Sequence, residues 1–197
     1  MTQYIFDADN RTYLLRPITE ADLTQAAVLC DQCVGKNLYS RERICEAMEA
    51  KDQYFWLLQT QTGETVGYLF YLLTDVQTIG ASAKVDPDRL RSVAAEPLHT
   101  VYRVQSIGIR EEYRGIGLAA GLLNFALAQA EKLEAQVVYV VCWKTGQVVP
   151  LEKPLLECGF SFLMEAQKVW YDDPYLHCPY CNGRCHCDAE IYYKLLA

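Results

Sequence analysis

The chain has no long hydrophobic run: the longest, VVYVVCW at 137–143, covers seven residues, where a membrane-spanning helix needs about 20. Its first residues, MTQYIFDADNR, lack the basic start and apolar stretch of a secretion signal. Positive charge is in short supply too. Eighteen Lys and Arg stand against 25 Asp and Glu, a formal net charge of −7, which argues against a nucleic-acid surface built from clustered cations. The balance suits a cationic or amine-bearing small partner, though it also serves plain solubility. Internal repeats and low-complexity tracts are absent. The expectation is a cytoplasmic, soluble protein with no membrane and no nucleic-acid partner. In such a reducing compartment nine cysteines, an odd number, are metal-bound or free more readily than paired.

What is present is an ordinary globular composition, 51% hydrophobic and 22% charged over 197 residues, enough for one domain spanning 1–197 with a full core. TYLLRPITEADL reads as a strand running into a helix, with Thr19 as cap and Asp22 three positions on. SRERICEAMEAKD reads as a second helix. YFWLLQT and GETVGYLFYLLT form a hairpin. Residues 80–97 are small, polar and proline-marked, with Asp86-Pro87 opening a short helix; the length of this connection suggests an insertion or lid. A strand in LHTVYRVQSIGI leads through REEYRGIG into a helix, where Leu118, Leu122, Phe125, Ala126 and Leu133 share a face. VVYVV is a buried strand, VVPLEKPLLECGF a proline-interrupted helix, and FSFLMEAQKVWY and EIYYKLL the last two strands.

In SIGIREEYRGIGLAAGLLNFA a strand ends, a glycine turn follows and an alanine-rich helix begins. Exposed N–H groups and the dipole at a helix start form an anion site. Gly115 and Gly117 let the main chain approach a phosphate, and Arg114 adds a fixed charge. The G-x-G-x-x-G spacing of a dinucleotide fold is absent. RGIGLA, residues 114–119, matches the R-x-x-G-x-A loop of the GCN5-related N-acetyltransferase (GNAT) family, with Arg114, Gly117 and Ala119 at the motif positions. The chain resembles that family from about Tyr13 to Leu196, the order of its elements included. The resemblance implies an α/β (α+β) GNAT fold, a central mixed twisted sheet (about seven strands) flanked by helices (about four) that cover it. It also implies acetyl-CoA as cosubstrate, held by Ile107, Gly108, Ile109, Arg114, Gly115, Ile116, Gly117, Leu118 and Ala119, and acetyl transfer to a primary amine of a small molecule or peptide by direct attack. N–H groups near Gly108 and Ile109 are the expected oxyanion donors.

The catalytic side chains depart from the family. Where many members carry a glutamate base the loop alignment puts Gln105, a poor base and the only substrate-side candidate. Where many carry a tyrosine acid it puts Leu155, and the frequent asparagine falls near Val148, beside Gln147. His99, Glu111, Glu112, His177 and Asp172 are substitute bases, each also readable as a surface residue. An acyl-CoA and metal-binding sensor without catalysis is therefore the alternative to an enzyme. A homodimer is left open.

HCPYCNGRCHC, 177–187, holds four cysteines and two histidines within a Cys/His-rich loop spanning 172–188. C-x-x-C followed by Asn-Gly resembles a zinc knuckle. Cys178, Cys181, Cys185 and Cys187 make a four-thiolate set, with His177 or His186 as substitutes. Zinc in a structural role is the leading reading; an iron–sulfur cluster, free thiols and disulfides stay open. Cys30 and Cys33 could lend ligands or form a buried pair, and Cys45, Cys142 and Cys158 read as core. In the family this connection lies beside the acceptor entrance, so a stapled loop would wall the substrate pocket.

Overall fold

A computed structural model describes residues 3–196. Eight strands, β1 (Tyr4–Ala8), β2 (Arg11–Pro17), β3 (Gln53–Thr60), β4 (Thr65–Thr74), β5 (Val101–Ile109), β6 (Val137–Lys144), β7 (Ser161–Ala166) and β8 (Asp188–Leu195), form one sheet in the order β1-β2-β3-β4-β5-β6-β8-β7. Every pairing is antiparallel except β5 with β6. The helices are α1 (Leu23–Cys33), α2 (Arg41–Glu49), α3 (Val76–Ala83), α4 (Pro87–Arg91), α5 (Leu118–Lys132) and α6 (Glu152–Glu157). None of the described helices is long and apolar enough to cross a membrane.

Period-two alternation sorts the core onto two faces. Val138, Val140 and Cys142 of β6 pack with Leu122, Phe125 and Ala126 of α5 and Leu155 of α6. Val137, Tyr139 and Val141 face the other way, toward Val76 and Ile79 of α3 and Leu90 of α4. With both faces covered, β6 must be apolar throughout, which is why VVYVV reads as an unbroken run. Further along that second face, α1 and α2 bury Leu23, Leu29 and Ile44 against Leu57, Tyr68 and Phe70. Asp22 fixes the entry to α1. It accepts both arms of the Arg16 guanidinium at 2.7 and 2.8 Å and the Thr19 N–H at 2.9 Å, and Arg16 first, then Thr19, holds its carboxyl down to about 2.

Four features differ from the sequence expectation. The sheet gains β1, returned onto β2 by Asp9-Asn10, both at positive φ, the geometry a two-residue hairpin turn demands. The segment read as an insertion or lid is anchored to the core: Asp75 caps α3 and Asp86 caps α4, Leu90 is fully buried, and Tyr139 donates its hydroxyl to Leu90 O at 2.6 Å. Leu133 leaves the buried face of α5, because it is the helix C-cap and 37% exposed. Cys45, expected in the core, is half-buried.

Candidate active site

The sheet opens along one seam. Pairing between β5 and β6 ends at Val104 with Val140, while β6 continues against β8 as far as Lys144 and β5 against β4 as far as Ile109. Gln105 sits at the parting as the extra residue of a bulge, since Phe70 faces Ser106 and Tyr71 faces Val104. Arg110 N–H donates to Val66 O on β4. Strand alternation then sends the N–H groups of Ser106 and Gly108 to β4 and those of Ile107 and Ile109 into the opening. Gly108 is where the strand runs closest to its neighbours: a Cβ there would fall 2.2 Å from Tyr68 Cε1 and 2.7 Å from Cys33 Cβ.

Beyond β5 the chain turns through Glu111–Tyr113 into the glycine loop. Arg114 Nε donates to Ile109 O at 2.9 Å, tying loop to strand. Gly115 (φ 79°) and Gly117 (φ 91°) take the left-handed conformation that glycine adopts without strain, and Gly117 is the N-cap of α5. The helical hydrogen bonds of α5 begin with Gly121 N–H on Gly117 O. The N–H groups of Leu118, Ala119 and Ala120 therefore have no intrahelical partner.

One cavity of about 630 Å³ joins these parts. It runs from the glycine loop and the start of α5, past Ile107–Ile109, to an end walled by Tyr39, Arg103, Gln105, Trp143, Trp170 and Tyr180. Gln105 Nε2 donates to Tyr39 Oη at 3.3 Å, and the hydroxyls of Tyr68 and Ser106 pair at 2.8 Å. Burial pushes the Tyr39 hydroxyl above its ordinary pKa, so it is a phenol at neutral pH. It likewise pushes the thiols of Cys33 (to about 11) and Cys142 up, which leaves the cavity's cysteines protonated and unreactive.

None of the five substitute bases lines this cavity. His99, Glu111, Glu112 and His177 are exposed. Asp172 pairs with Lys84 at 2.7 Å, and Glu112 pairs with Arg110. Leu155 is fully buried and Val148 is exposed, neither in the lining. Among the described residues the only carboxylate in the lining is Glu157, 3.8 Å from Lys153. The sequence reading missed Tyr39, Arg103, Trp143, Trp170 and Tyr180. Arg103 alone left a signal, a charge inside the apolar strand pattern VYRVQ.

The four thiols of Cys178, Cys181, Cys185 and Cys187 gather within 4.8 Å of one another. Cys187 Sγ lies 3.9 Å from Cys178 Sγ and 3.6 Å from Cys181 Sγ. Four sulfurs at the zinc–thiolate distance in a tetrahedron stand about 3.8 Å apart, so the set fits a zinc ion. Main-chain N–H groups reach the sulfurs as in a knuckle, Cys181 N to Cys178 Sγ at 3.4 Å and His186 N to Cys181 Sγ at 3.3 Å. Neither histidine is in the group: the His186 ring lies edge-on to Tyr171, and the His177 backbone exchanges hydrogen bonds with Lys36. Cys30 and Cys33 stand outside it as well. The Lys36–His177 bridge fastens the cluster to the loop after α1, and Leu176 packs beneath it with Leu38, Trp143 and Trp170.

The opened seam, the glycine loop and the bare helix start lie within a segment that matches the Acetyltransferase (GNAT) family over residues 21–149. The chain belongs to the GNAT acetyltransferase family. Solved structures share its fold. Ribosomal-protein-S5-alanine acetyltransferase from Vibrio fischeri superposes with a TM-score of 0.65 at 15% identity, covering 99% of this chain and 97% of that one. Arabidopsis thaliana NAA60, in complex with a bisubstrate analogue, gives 0.67 at 14%, covering 94% and 99%. Drosophila melanogaster polyamine N-acetyltransferase, which catalyses the formation of N-acetylagmatine, gives 0.63 at 12%, covering 93% and 100%. A search of curated proteins found no match. The cysteine cluster lies outside the matched GNAT segment.

Proposed function

We propose that this GNAT protein is an acetyl-CoA-dependent N-acetyltransferase that passes the acetyl group to a primary amine by direct attack. The continuity of the cavity supports this reading above all, since one opening leads from the start of α5 past the free edge of β5 to an aromatic chamber. The N–H groups of Leu118, Ala119 and Ala120, with the glycine loop and the Arg114 guanidinium, receive the pyrophosphate. The free edge of β5 receives the pantetheine arm. Ile107 and Ile109, rather than Gly108, supply the N–H groups that polarise the thioester carbonyl, because the Gly108 N–H faces β4.

The amine nitrogen forms a bond to the carbonyl carbon, the carbon–sulfur bond breaks, and CoA leaves as a thiolate that takes up a proton. Cys33 and Cys142, both held as thiols, are unsuited to an acyl-enzyme route. Gln105 and the Tyr39 phenol cannot take the amine's proton at neutral pH, so water carries it off and the reactive species is the amine already neutral. Positioning then accounts for the acceleration.

Zinc on Cys178, Cys181, Cys185 and Cys187 would have no open coordination position and would serve as a staple for the chamber wall. The test is a broad panel of primary amines incubated with acetyl-CoA and followed by mass spectrometry. N-acetylation of an amine with equal release of CoA is the expected result. Tight acetyl-CoA binding with no amine acetylated and hydrolysis at background would overturn the proposal and leave a binding module.

A further inference from the structure

Arg103 is the one charged side chain at the chamber end, and its surroundings leave it short of a partner, as they do the neutral Trp143 Nε1. It lies on β5 at 8% exposure and lines the cavity. Its Nη1 donates to Ser82 Oγ on α3 at 2.7 Å, and its Nε is buried with no acceptor. Among the described residues it makes no ion pair. The groups that act on its charge are the Tyr39 hydroxyl and a second cation, Arg43. Burial and Arg43 both disfavour the charged form, yet an arginine keeps its charge at any working pH. A buried, unpaired guanidinium is costly to hold, and well-packed proteins pair such groups.

The rest of the lining points the same way. Basic side chains there are Arg103, Arg114 and Lys153, against the single carboxylate Glu157, which already has Lys153 beside it. Arg114 and Lys153 lie toward the glycine loop and α6. At the chamber end, among Tyr39, Gln105 and Trp143, the charge is that of Arg103 alone. A polycationic acceptor would meet no carboxylate in the chamber and one fixed cation.

Resting on the acetyltransferase reading above, we propose that the acceptor is an anionic amine and that Arg103 binds its oxyanion, a carboxylate or a phosphate-like group. The fork of N–H groups on a guanidinium matches such an anion in two-point geometry. Arg103 is thus a specificity-determining residue. It selects amino acids and related amines over polyamines, and Ser82 holds its Nη1 in place.

The experiment uses the full chain and matched probes: γ-aminobutyrate, δ-aminovalerate, L-phenylalanine and aminopropylphosphonate against butylamine, phenethylamine and putrescine. Binding is measured by calorimetry with and without CoA, and turnover by mass spectrometry with acetyl-CoA, for the wild type, Arg103→Met and Arg103→Lys. The wild type should favour the oxyanion-bearing amines over matched amines that lack the anion by roughly ten-thousandfold, the scale on which a polar site rejects a ligand lacking its partner group. Arg103→Met should bring that preference to near parity with acetyl-CoA affinity unchanged, and should melt no lower than the wild type, since it removes an unpaired buried charge. Carboxylate against phosphonate probes identifies which oxyanion is bound.

A preference unchanged in Arg103→Met, or a wild type that favours putrescine or neutral amines, overturns the inference. Should Arg103→Met fail to fold, Arg103→Lys decides: it keeps the charge and loses the fork, so anion affinity must fall while acetyl-CoA affinity holds. If no amine is acetylated yet anion binding depends on Arg103, the transfer reading fails and the anion site stands.

Discussion

Replacing Gly108 with alanine adds one methyl group at the tightest point of β5. The new Cβ would lie 2.2 Å from Tyr68 Cε1, 2.9 Å from Tyr68 Cδ1 and 2.7 Å from Cys33 Cβ, against an ordinary carbon–carbon contact of about 3.5–4.0 Å. Tyr68 cannot swing away freely. It is fully buried, stacked on Phe55 with centroids 5.2 Å apart, and bonded to Ser106. Overpacking costs about 1–3 kcal/mol, loss of the Tyr68–Ser106 bond about 1 kcal/mol, and loss of the stack about 1 kcal/mol. A destabilisation of about 3–5 kcal/mol lowers the melting midpoint of a chain this size by about 6–20 °C. Thermal denaturation followed by circular dichroism reads this directly. Tyr68→Leu on the Gly108→Ala background should be less destabilising than the two single changes added together, because it removes the colliding carbon. A Gly108→Ala protein melting within ~2 °C of the wild type would refute the packing argument.

Four further outcomes are expected. Gly117→Val forces a β-branched residue to φ 91°, so stability should fall by about 1–3 kcal/mol and acetyl-CoA affinity, measured by calorimetry, by about tenfold or more; unchanged affinity would detach the loop from CoA binding. The Asp22 carboxyl is held at about 2, chiefly by Arg16, below its unfolded value near 3.9, so its contribution of about 2 kcal/mol is complete above about pH 4 and fades as the pH falls toward 2. The urea midpoints of wild type and Asp22→Asn should therefore differ at pH 7 and converge in acid. Cys178→Ser combined with Cys181→Ser should release the metal, about one zinc per chain by elemental analysis, and lower the melting midpoint; wild-type protein with no zinc would remove the staple. Finally, with water as proton acceptor, kcat/KM should rise with pH up to the pKa of the amine itself and shift when a less basic amine is used. A break near pH 7 that ignores the amine would reveal a base the cavity lining does not show.

The parts legible in the sequence were those with short-range causes. The glycine loop announces itself because left-handed backbone at Gly115 and Gly117 calls for glycine, and the alanine-rich helix follows directly. The cysteine cluster shows in its spacing, since Cys178 and Cys181, with two residues between them, need only a local turn to converge. The strands of both hairpin arms show as β-rich runs on either side of Gln61, Thr62 and Gly63. What stayed hidden depends on distant pairing. The Asp9-Asn10 turn is a hairpin signal only once β1 has β2 to lie against. The 80–97 connection looks polar because α3 and α4, which end and start within it, bury narrow stripes, Val76, Ile79 and Ala83 on one and Leu90 on the other. The chamber is assembled from β5, β6, the loop after α1 and the knuckle loop, elements far apart in the chain, so Tyr39, Trp143, Trp170 and Tyr180 carry no local pattern.

The most direct test of the account is a crystal structure of the protein with CoA. The account predicts pyrophosphate density against the N–H groups of Leu118, Ala119 and Ala120, and a pantetheine arm along the free edge of β5 at Ile107–Ile109, its sulfur pointing into the chamber of Tyr39, Gln105 and Arg103. CoA seated anywhere else, with the seam between β5 and β6 left empty, would contradict it.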